Sequence, residues 1–456
     1  STTSTGTATG IALSGATAGV DISGNSVSNI KNTNTTGYGS NGIWLASTST
    51  AANTRVFNNF IWDVASNGYT LSAGVADNGY GMVVSAGAGY AITYNTVLLN
   101  TNQTADGLPS ALNVTSGVTA AGALDVRNNI LATTQSNGTD RYAIYSGAAN
   151  TVFSSINNND YWSAGPNLGY ISSNRAALAD IQTGFGGNTN SKSVAPTFVS
   201  AVSPINLHLS NALGSNLCFN GAATPIAGIT TDIDGDTRNV TTPDMGADEF
   251  NPTLPTFVVS NQSACFGNTV DLTAAGVTAG SAVGQTFTYF TDAACTNAVA
   301  TPAAVGAGTY YIKATYTSGG CSIDQISSVV VTINALPTVS LTVTETSGST
   351  ANDGTICAGD AATLTASGAV SYTWAPGGET TAAITVTPAS NTTYTVTGTD
   401  ANGCQNTATT TITVNALPTA SIAIAETSGT TNNDGTICAG ASVSLTATGG
   451  TSYLWS

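Results

Sequence analysis

Apolar and polar residues alternate in short bursts along this chain, and Gly, Asn and Ser clusters separate the bursts. Gly10-Ile11-Ala12-Leu13, Gly42-Ile43-Trp44-Leu45 and Gly81-Met82-Val83-Val84 form one series, continued more weakly by Ala111-Leu112-Asn113-Val114 and Tyr142-Ala143-Ile144-Tyr145. A second series, Asn followed two residues later by Val, Ile, Leu or Tyr, starts at Asn25, Asn59, Asn95, Asn129 and Asn159, in steps of 34, 36, 34 and 30 residues. Period-two alternation predicts strands that turn one face to a core. Two or three such strands per unit at a near-constant period predict a parallel β-helix over residues 1–165. Its rungs share one core and its turn Asn residues stack into a hydrogen-bonded ladder. Rungs this long require projecting loops, at 65–80 and 101–109, whose Tyr69 and Tyr80 are expected to be exposed. They would either line a binding face or be plain solvated loops. Residues 174–183, rich in helix formers, predict a short helix that caps the open end within a capping region at 166–250.

The alternation then changes its unit. Leu-Pro-Thr recurs at 254, 336 and 417, and Asn352-Asp353-Gly354-Thr355-Ile356-Cys357 returns 81 residues later as Asn433-Asp434-Gly435-Thr436-Ile437-Cys438. Each block of about 80 residues holds six or seven alternating stretches, such as Thr363-Leu364-Thr365-Ala366 and Tyr394-Thr395-Val396-Thr397, with turns like Pro376-Gly377-Gly378 between them. That pattern predicts immunoglobulin-like (Ig-like) or PKD-like sandwiches at 251–334 and 335–415, with a partial third at 416–456. Trp374, two positions after Tyr372, is expected in a sandwich core. A copy that stops in mid-unit is expected to belong to a longer tandem array, and such arrays usually reach, space or hold.

Composition narrows the function. Only 7% of residues are charged and the net charge is −16, with eight Lys and Arg in all. Phosphate backbones and anionic lipid repel such a chain, so no nucleic-acid partner is expected. No apolar run reaches the ~18 residues of a membrane span. The seven cysteines include no Cys-x-x-Cys pair, which argues against zinc ribbons and thioredoxin-type sites. Cys357 and Cys404, 47 residues apart in one repeat, read as a structural disulfide and so as an oxidising compartment, against the rival of buried free thiols. Cys438 would then find its partner near position 485.

Two motifs carry a family resemblance. Thr231-Asp232-Ile233-Asp234-Gly235-Asp236-Thr237-Arg238 followed by Asp244-Met245-Gly246-Ala247-Asp248-Glu249-Phe250 resembles the closing turn and strand of the right-handed β-helix in large secreted Bacteroidota proteins. The Ile356-to-Gly359 turn, the run Tyr394 to Cys404 and the closing Thr411-Ile412-Thr413-Val414 resemble the Ig-like and PKD-like repeats of adhesins exported by type IX secretion, including gliding-motility adhesins. The resemblance implies an all-β chain, a right-handed parallel β-helix followed by tandem sandwiches, located extracellularly at the cell surface. It implies a Sec signal before this segment, and a sorting domain or further repeats after it. The implied partners are surface glycans or abiotic surfaces and the type IX machinery. The first bead departs from the pattern by adding Cys295 and lacking the Asn-Asp-Gly insertion. Keeping Cys265 and Cys321 in equivalent places, it pairs them, with Cys218 and Cys295 left open.

No cofactor is required by these residues, although two acidic groups suit Ca²⁺. Asp232, Asp234 and Asp236 alternate around Gly235 and offer three oxygens, but Pro243 stands where an EF-hand needs Glu. The rival reading is a turn neutralised by Arg238. Glu345, Asp353 and Asp400, with the copied Glu426 and Asp434, suit inter-module Ca²⁺ clips, against a plain Asn-Asp-Gly turn. For catalysis, Asp21, Asp63, Asp77, Asp106, Asp125, Asp140 and Asp160 are scattered, and an Asp125–Arg127 ion pair accounts for those two. His208 has no nucleophile matched to it and reads as a packed or edge residue. An enzyme is therefore not expected. The rivals to an adhesin are a polysaccharide lyase or hydrolase on the β-helix and a structural surface-filament subunit.

Overall fold

The computed structural model describes residues 6–35, 38–67, 78–104, 107–138 and 140–456. The protein is all-β, a parallel β-solenoid followed by Ig-like sandwiches. It divides into two compact units, one holding residues 1–258, 280–288 and 313–327, the other residues 259–279, 289–312 and 328–456.

In the first unit three strands make a rung, and like strands pair in parallel from rung to rung. The first sheet stacks Ala8–Gly15, Ser40–Ser47, Gly79–Ala86, Ser110–Val114, Tyr142–Ser146 and Gly169–Ile171. The second stacks Asp21–Ser23, Thr54–Phe57, Tyr90–Thr93, Leu124–Arg127 and Phe153–Asn157. The third stacks Ser26–Val27, Phe60–Trp62, Thr96–Leu99, Ile130–Thr133 and Asp160–Ser163. Ile43, Met82, Leu112 and Ile144 from the first sheet meet Val56, Ile92 and Val126 from the second and Ile61, Val97 and Leu131 from the third in one core.

Two residues turn the chain from the second sheet to the third. Gly24, Asn58, Tyr94, Asn128 and Asn158 take φ between 51° and 68°, a region Gly and Asn tolerate and Tyr does not. The ladder residue follows each. The side-chain amide of Asn25 donates to Asn59 Oδ1 (2.8 Å), Asn59 to Asn95 (2.9 Å), Asn95 to Asn129 (3.0 Å) and Asn129 to Asn159 (2.9 Å). The same amides donate to carbonyls of their own and the preceding rung, as Asn95 does to Thr93 and Val56. At the last rung Asn159 donates to the Tyr161 hydroxyl (3.1 Å) and its backbone N–H to Ser191 Oγ (3.1 Å). Every buried amide thus spends its hydrogens inside the stack.

The helix, α1, runs over Leu178–Phe185 and begins later than the sequence predicts, because Ser173–Arg175 pairs antiparallel with Gly169–Ile171. Its Ile181 and Phe185 enter the solenoid core, and the Asp180 carboxylate accepts the Ala177 N–H at the first turn. Residues 194–250 do not extend this cap. They cover the outer flank of the third sheet, where Phe60, Tyr94, Leu98 and Ile130 pack with Phe198, Leu207, Phe219, Met245 and Phe250. Tyr80, expected to be exposed, is 1% accessible and lies in the first sheet: it belongs to the strand series, so its position is set by register and not by the loop before it. Tyr69, Asp77 and Asp106 lie outside the described residues.

In the second unit, Ser340–Thr344, Ala362–Ser367 and Ala383–Val386 form one antiparallel sheet, and Thr355–Cys357, Gln405–Asn415, Thr392–Thr399 and Ser371–Ala375 form the other. Trp374, 1% accessible, fills the core between them with Leu364, Val396 and Ile412, and its Nε1 donates to Thr381 O (2.9 Å). In the 416–456 copy, Ser421–Ala425 and Ser444–Thr448 form an antiparallel pair.

The disulfides differ from those expected. Cys218 is bonded to Cys321 and Cys265 to Cys404, not Cys265 to Cys321 or Cys357 to Cys404. The reason lies along one strand. Cys357 stands opposite Asn415, at the end of the last strand of its bead, whereas Cys404 immediately precedes the first residue of that strand. Eleven residues at about 3.3 Å each hold them roughly 35 Å apart, and a disulfide needs Cα atoms within about 7 Å. Cys321 and Cys265 are separated in the same way, since Cys265 faces Asn334 at the far end of the strand that Cys321 begins.

Candidate functional site

The outward positions of the first sheet carry the most chemistry that the fold itself leaves unused. Strand alternation turns Ile144 inward and Tyr145 outward. The parallel register then lines up Trp44, Val83, Asn113, Tyr145 and Tyr170, one per rung. Tyr145 and Tyr170 are half-buried and stack with centroids 4.6 Å apart and planes 9° from parallel. Tyr142 closes the group, its ring 5.6 Å from Tyr145 and 6.1 Å from Tyr170. Its hydroxyl is held by Asp140 Oδ1 (3.0 Å) and Asn174 Oδ1 (2.7 Å). Burial, then the Asp140 carboxylate, push the Tyr142 phenol well above its usual range, so it is a neutral donor at any physiological pH. Burial and the neighbouring Tyr170 raise Tyr145 as well.

Beside this platform Asn113, 2% accessible, donates to Ser110 Oγ (3.3 Å) while its Oδ1 has no partner. A buried amide oxygen without a donor costs about 1–3 kcal/mol. Two rungs from Asn113, Trp44 is half-buried and donates from Nε1 to Ser85 Oγ (2.8 Å). The arrangement offers stacked aromatic faces edged by amide and carboxylate groups.

None of these residues was singled out by sequence as a site. Tyr145 falls in a recognised strand series, but Tyr170 follows it by 25 residues, against 32 from Asn113 to Tyr145. The shortened rung hid the alignment.

The residues proposed for Ca²⁺ are arranged as turns. Asp232 Oδ1 accepts the N–H groups of Asp234 (3.0 Å) and Asp236 (2.8 Å), and its Oδ2 accepts that of Glu249 (3.0 Å). Asp234 instead meets His208 Nε2 (2.6 Å), and Asp236 is exposed. His208, Asp234 and Asp248 are, among the described residues, the one set of three potential ligands brought close together. Asp248 also accepts the Leu209 N–H (2.8 Å). Glu345 Oε1 accepts the Asp353 N–H (2.9 Å), Asp353 accepts that of Thr355 (2.7 Å), and Asp400 accepts those of Asn402 and Cys404 (both 2.8 Å). The copy repeats the first contact between Glu426 and Asp434 (2.9 Å).

Arg238 sits at the centre of the closing motif, 3% accessible. It donates to the carbonyls of Gly246 and Ala247 (both 3.0 Å), to Asn58 Oδ1 (3.1 Å) and to Glu249 Oε2 (3.2 Å), and lies over the Tyr94 ring. The left-handed turn residues dock the same segment: Asn58 donates to Thr231 O (2.7 Å), Asn128 to Thr224 O (2.8 Å) and Asn158 to Ala222 O (2.9 Å). The motif is therefore a clamp on the solenoid flank.

No family description and no curated protein matches the chain. Among solved structures it is similar to an amphioxus IgVJ-C2 molecule, with 19% identity over 24% of this chain and 64% of that one, at a TM-score of 0.14. A Dscam structure addressing isoform specificity aligns at 12% identity over 39% of this chain and 53% of its own (TM-score 0.15), and an eight-Ig-domain DSCAM isoform at 11% over 42% and 33% (TM-score 0.15). The chain spans less than two thirds of each of these molecules, and likeness at this level carries no functional argument.

Proposed function

We propose that this chain is a segment of a secreted cell-surface adhesin, in which the solenoid presents a glycan-binding face and the Ig-like beads act as spacers. The tyrosine platform carries this reading. A pyranose ring has an apolar C–H face that lies flat on an aromatic ring and hydroxyls that need fixed polar partners at its edge; stacked Tyr145 and Tyr170, with the exposed Asn174 amide and Asp140 beside them, supply both. Two disulfides fit an oxidising, extracellular setting. Weak single contacts would add through multivalency where many copies of the chain stand on one surface. By the resemblance of its closing and bead motifs, export would use type IX machinery in a Bacteroidota cell.

The solenoid acids support binding over catalysis. Asp21 is engaged by Arg55, Asp63 by Lys31 and Asp125 by Arg127, and Asp160 is fully buried with its pKa raised by desolvation. A panel of surface polysaccharides, uronic-acid polymers included, tests the reading with the full chain. Retention without shortening of the polymer is expected, and reproducible chain cleavage would replace the adhesin by a lyase or hydrolase.

A further inference from the structure

Aligned on Asn334-Ala335-Leu336-Pro337-Thr338 and Asn415-Ala416-Leu417-Pro418-Thr419, the beads show that Cys265 and Cys357 are one position in two copies. Cys265 pairs in parallel register with Asn334 and Cys357 with Asn415. The next residue donates to that Asn carbonyl in both, Phe266 at 2.8 Å and Ala358 at 2.9 Å, and the third residue on donates back to the cysteine carbonyl, Asn268 and Asp360 both at 3.0 Å. Cys438 repeats the last contact with Ala441 (3.0 Å). Cys321 and Cys404 each follow a glycine turn at the opening of the last strand, 13 residues before Asn334 and 11 before Asn415.

The bonds join these positions out of step. The turn cysteine of the second bead, Cys404, is bonded to the strand cysteine of the bead before it, Cys265, and the turn cysteine of the first bead, Cys321, to Cys218 in the segment before that. The geometry of a single bead explains the offset. Its strand cysteine sits at the end where the chain leaves through Leu-Pro-Thr, and its turn cysteine at the end where the chain arrived. Asn406, two residues after Cys404, donates to Pro337 O (3.0 Å) in the arriving linker.

We infer that Cys357 is a cross-linking site for the turn cysteine of a following bead, so that successive beads are stapled head to tail. Cys357 carries a free, half-buried thiol. Its backbone is fixed by Asn415 and by Ser347 Oγ, which accepts the Cys357 N–H (2.7 Å) and donates to Asp360 (2.6 Å). The partner is the Asp-x-Asn-Gly-Cys turn, which in the second bead is shaped by Asp400 accepting the Cys404 N–H. The oxidant is a small-molecule disulfide. One bead thiolate attacks it and releases one thiol, and the second bead thiolate attacks the resulting mixed disulfide and releases the other. Two protein thiols and one small disulfide thus become one protein disulfide and two small thiols. The staple does not depend on what the solenoid binds.

Ser456 aligns with Ala375, so a copy of residues 376–415 added after Ser456 supplies the turn cysteine and last strand of a following bead. The extended chain is oxidised with glutathione disulfide and its cross-links are read by non-reducing peptide mapping. The expected result is a new bond from Cys357 to the added turn cysteine, with Cys438 still alkylatable; a bond from the added cysteine to Cys438, or no bond to Cys357, overturns the inference. A second variant needs no extension. In C265S of the unextended chain, Cys357 and Cys404 should both remain alkylatable, and a Cys357–Cys404 bond would contradict the separation on which the rule rests.

Discussion

The Arg238 guanidinium lies 4.1 Å from the centroid of the Tyr94 ring, and Tyr94 is held at φ 53°. A tyrosine in the left-handed region is strained, and here the strain places its ring under the cation and its hydroxyl 2.7 Å from Thr224 O. Burial pulls the Arg238 pKa down and Glu249 opposes it. Removing the guanidinium leaves Glu249 without its cation, held only by the Asn239 and Asp244 N–H groups, and takes a donor from the buried carbonyls of Gly246 and Ala247. Arg238→Ala should therefore cost the solenoid unit about 3–5 kcal/mol. Asp236→Asn, at an exposed turn position, should cost under about 0.5 kcal/mol. Urea denaturation of both variants checks the contrast.

The ladder predicts a gradient along the stack. Asn95 is fully buried, and its amide serves five groups on three rungs. Asn25 sits half-exposed on the first ladder rung. Asn95→Ala should lose on the order of 3 kcal/mol, as several buried groups lose partners at once, while Asn25→Ala should lose about 1 kcal/mol or less. Equal losses would mean that the amides are not coupled as described.

Asp244 makes stability depend on pH. Burial, then the charge of Glu249, raise its pKa to about 7 from an ordinary 3.8. The folded state thus holds a proton that the unfolded state has released. The stability due to that proton is complete below about pH 4, declines as pH rises through about 7, and is absent above. Asp248, at about 6, adds in the same direction. The slope for one group approaches about 1.4 kcal/mol per pH unit between the two pKa values. Denaturation at pH 5 and pH 8 should show the wild type more stable at the lower pH, with a smaller difference in Asp244→Asn.

The fold was legible where residues repeat at a fixed period. Asn59, Asn95 and Asn129 announce their stacking because each must occupy the same turn, and Leu-Pro-Thr announces the beads. Trp374 was legible as core because an aromatic in an alternating strand has one face to fill. What spacing could not reveal is which end of a strand a residue occupies. Cys357 and Cys404 share one repeat, 47 residues apart in sequence, yet lie at opposite ends of one strand, roughly 35 Å apart in space. The Asp232 region was ambiguous for a related reason: alternating aspartates look alike whether they face a metal or their own backbone N–H groups. The platform was hidden because Tyr170 meets Tyr145 across a rung shorter than the others.

The most direct measurement is the affinity of the full chain, and of its Tyr145→Ala/Tyr170→Ala variant, for whichever surface polysaccharide it retains most strongly. The variant removes half-buried outward rings and leaves the inward Ile144 in place, so its unfolding transition should stay close to that of the wild type. The account predicts at least a tenfold loss of affinity, since each stacked ring is worth about 1 kcal/mol or more. Unchanged affinity in a folded variant would contradict the assignment of the solenoid face as the binding surface.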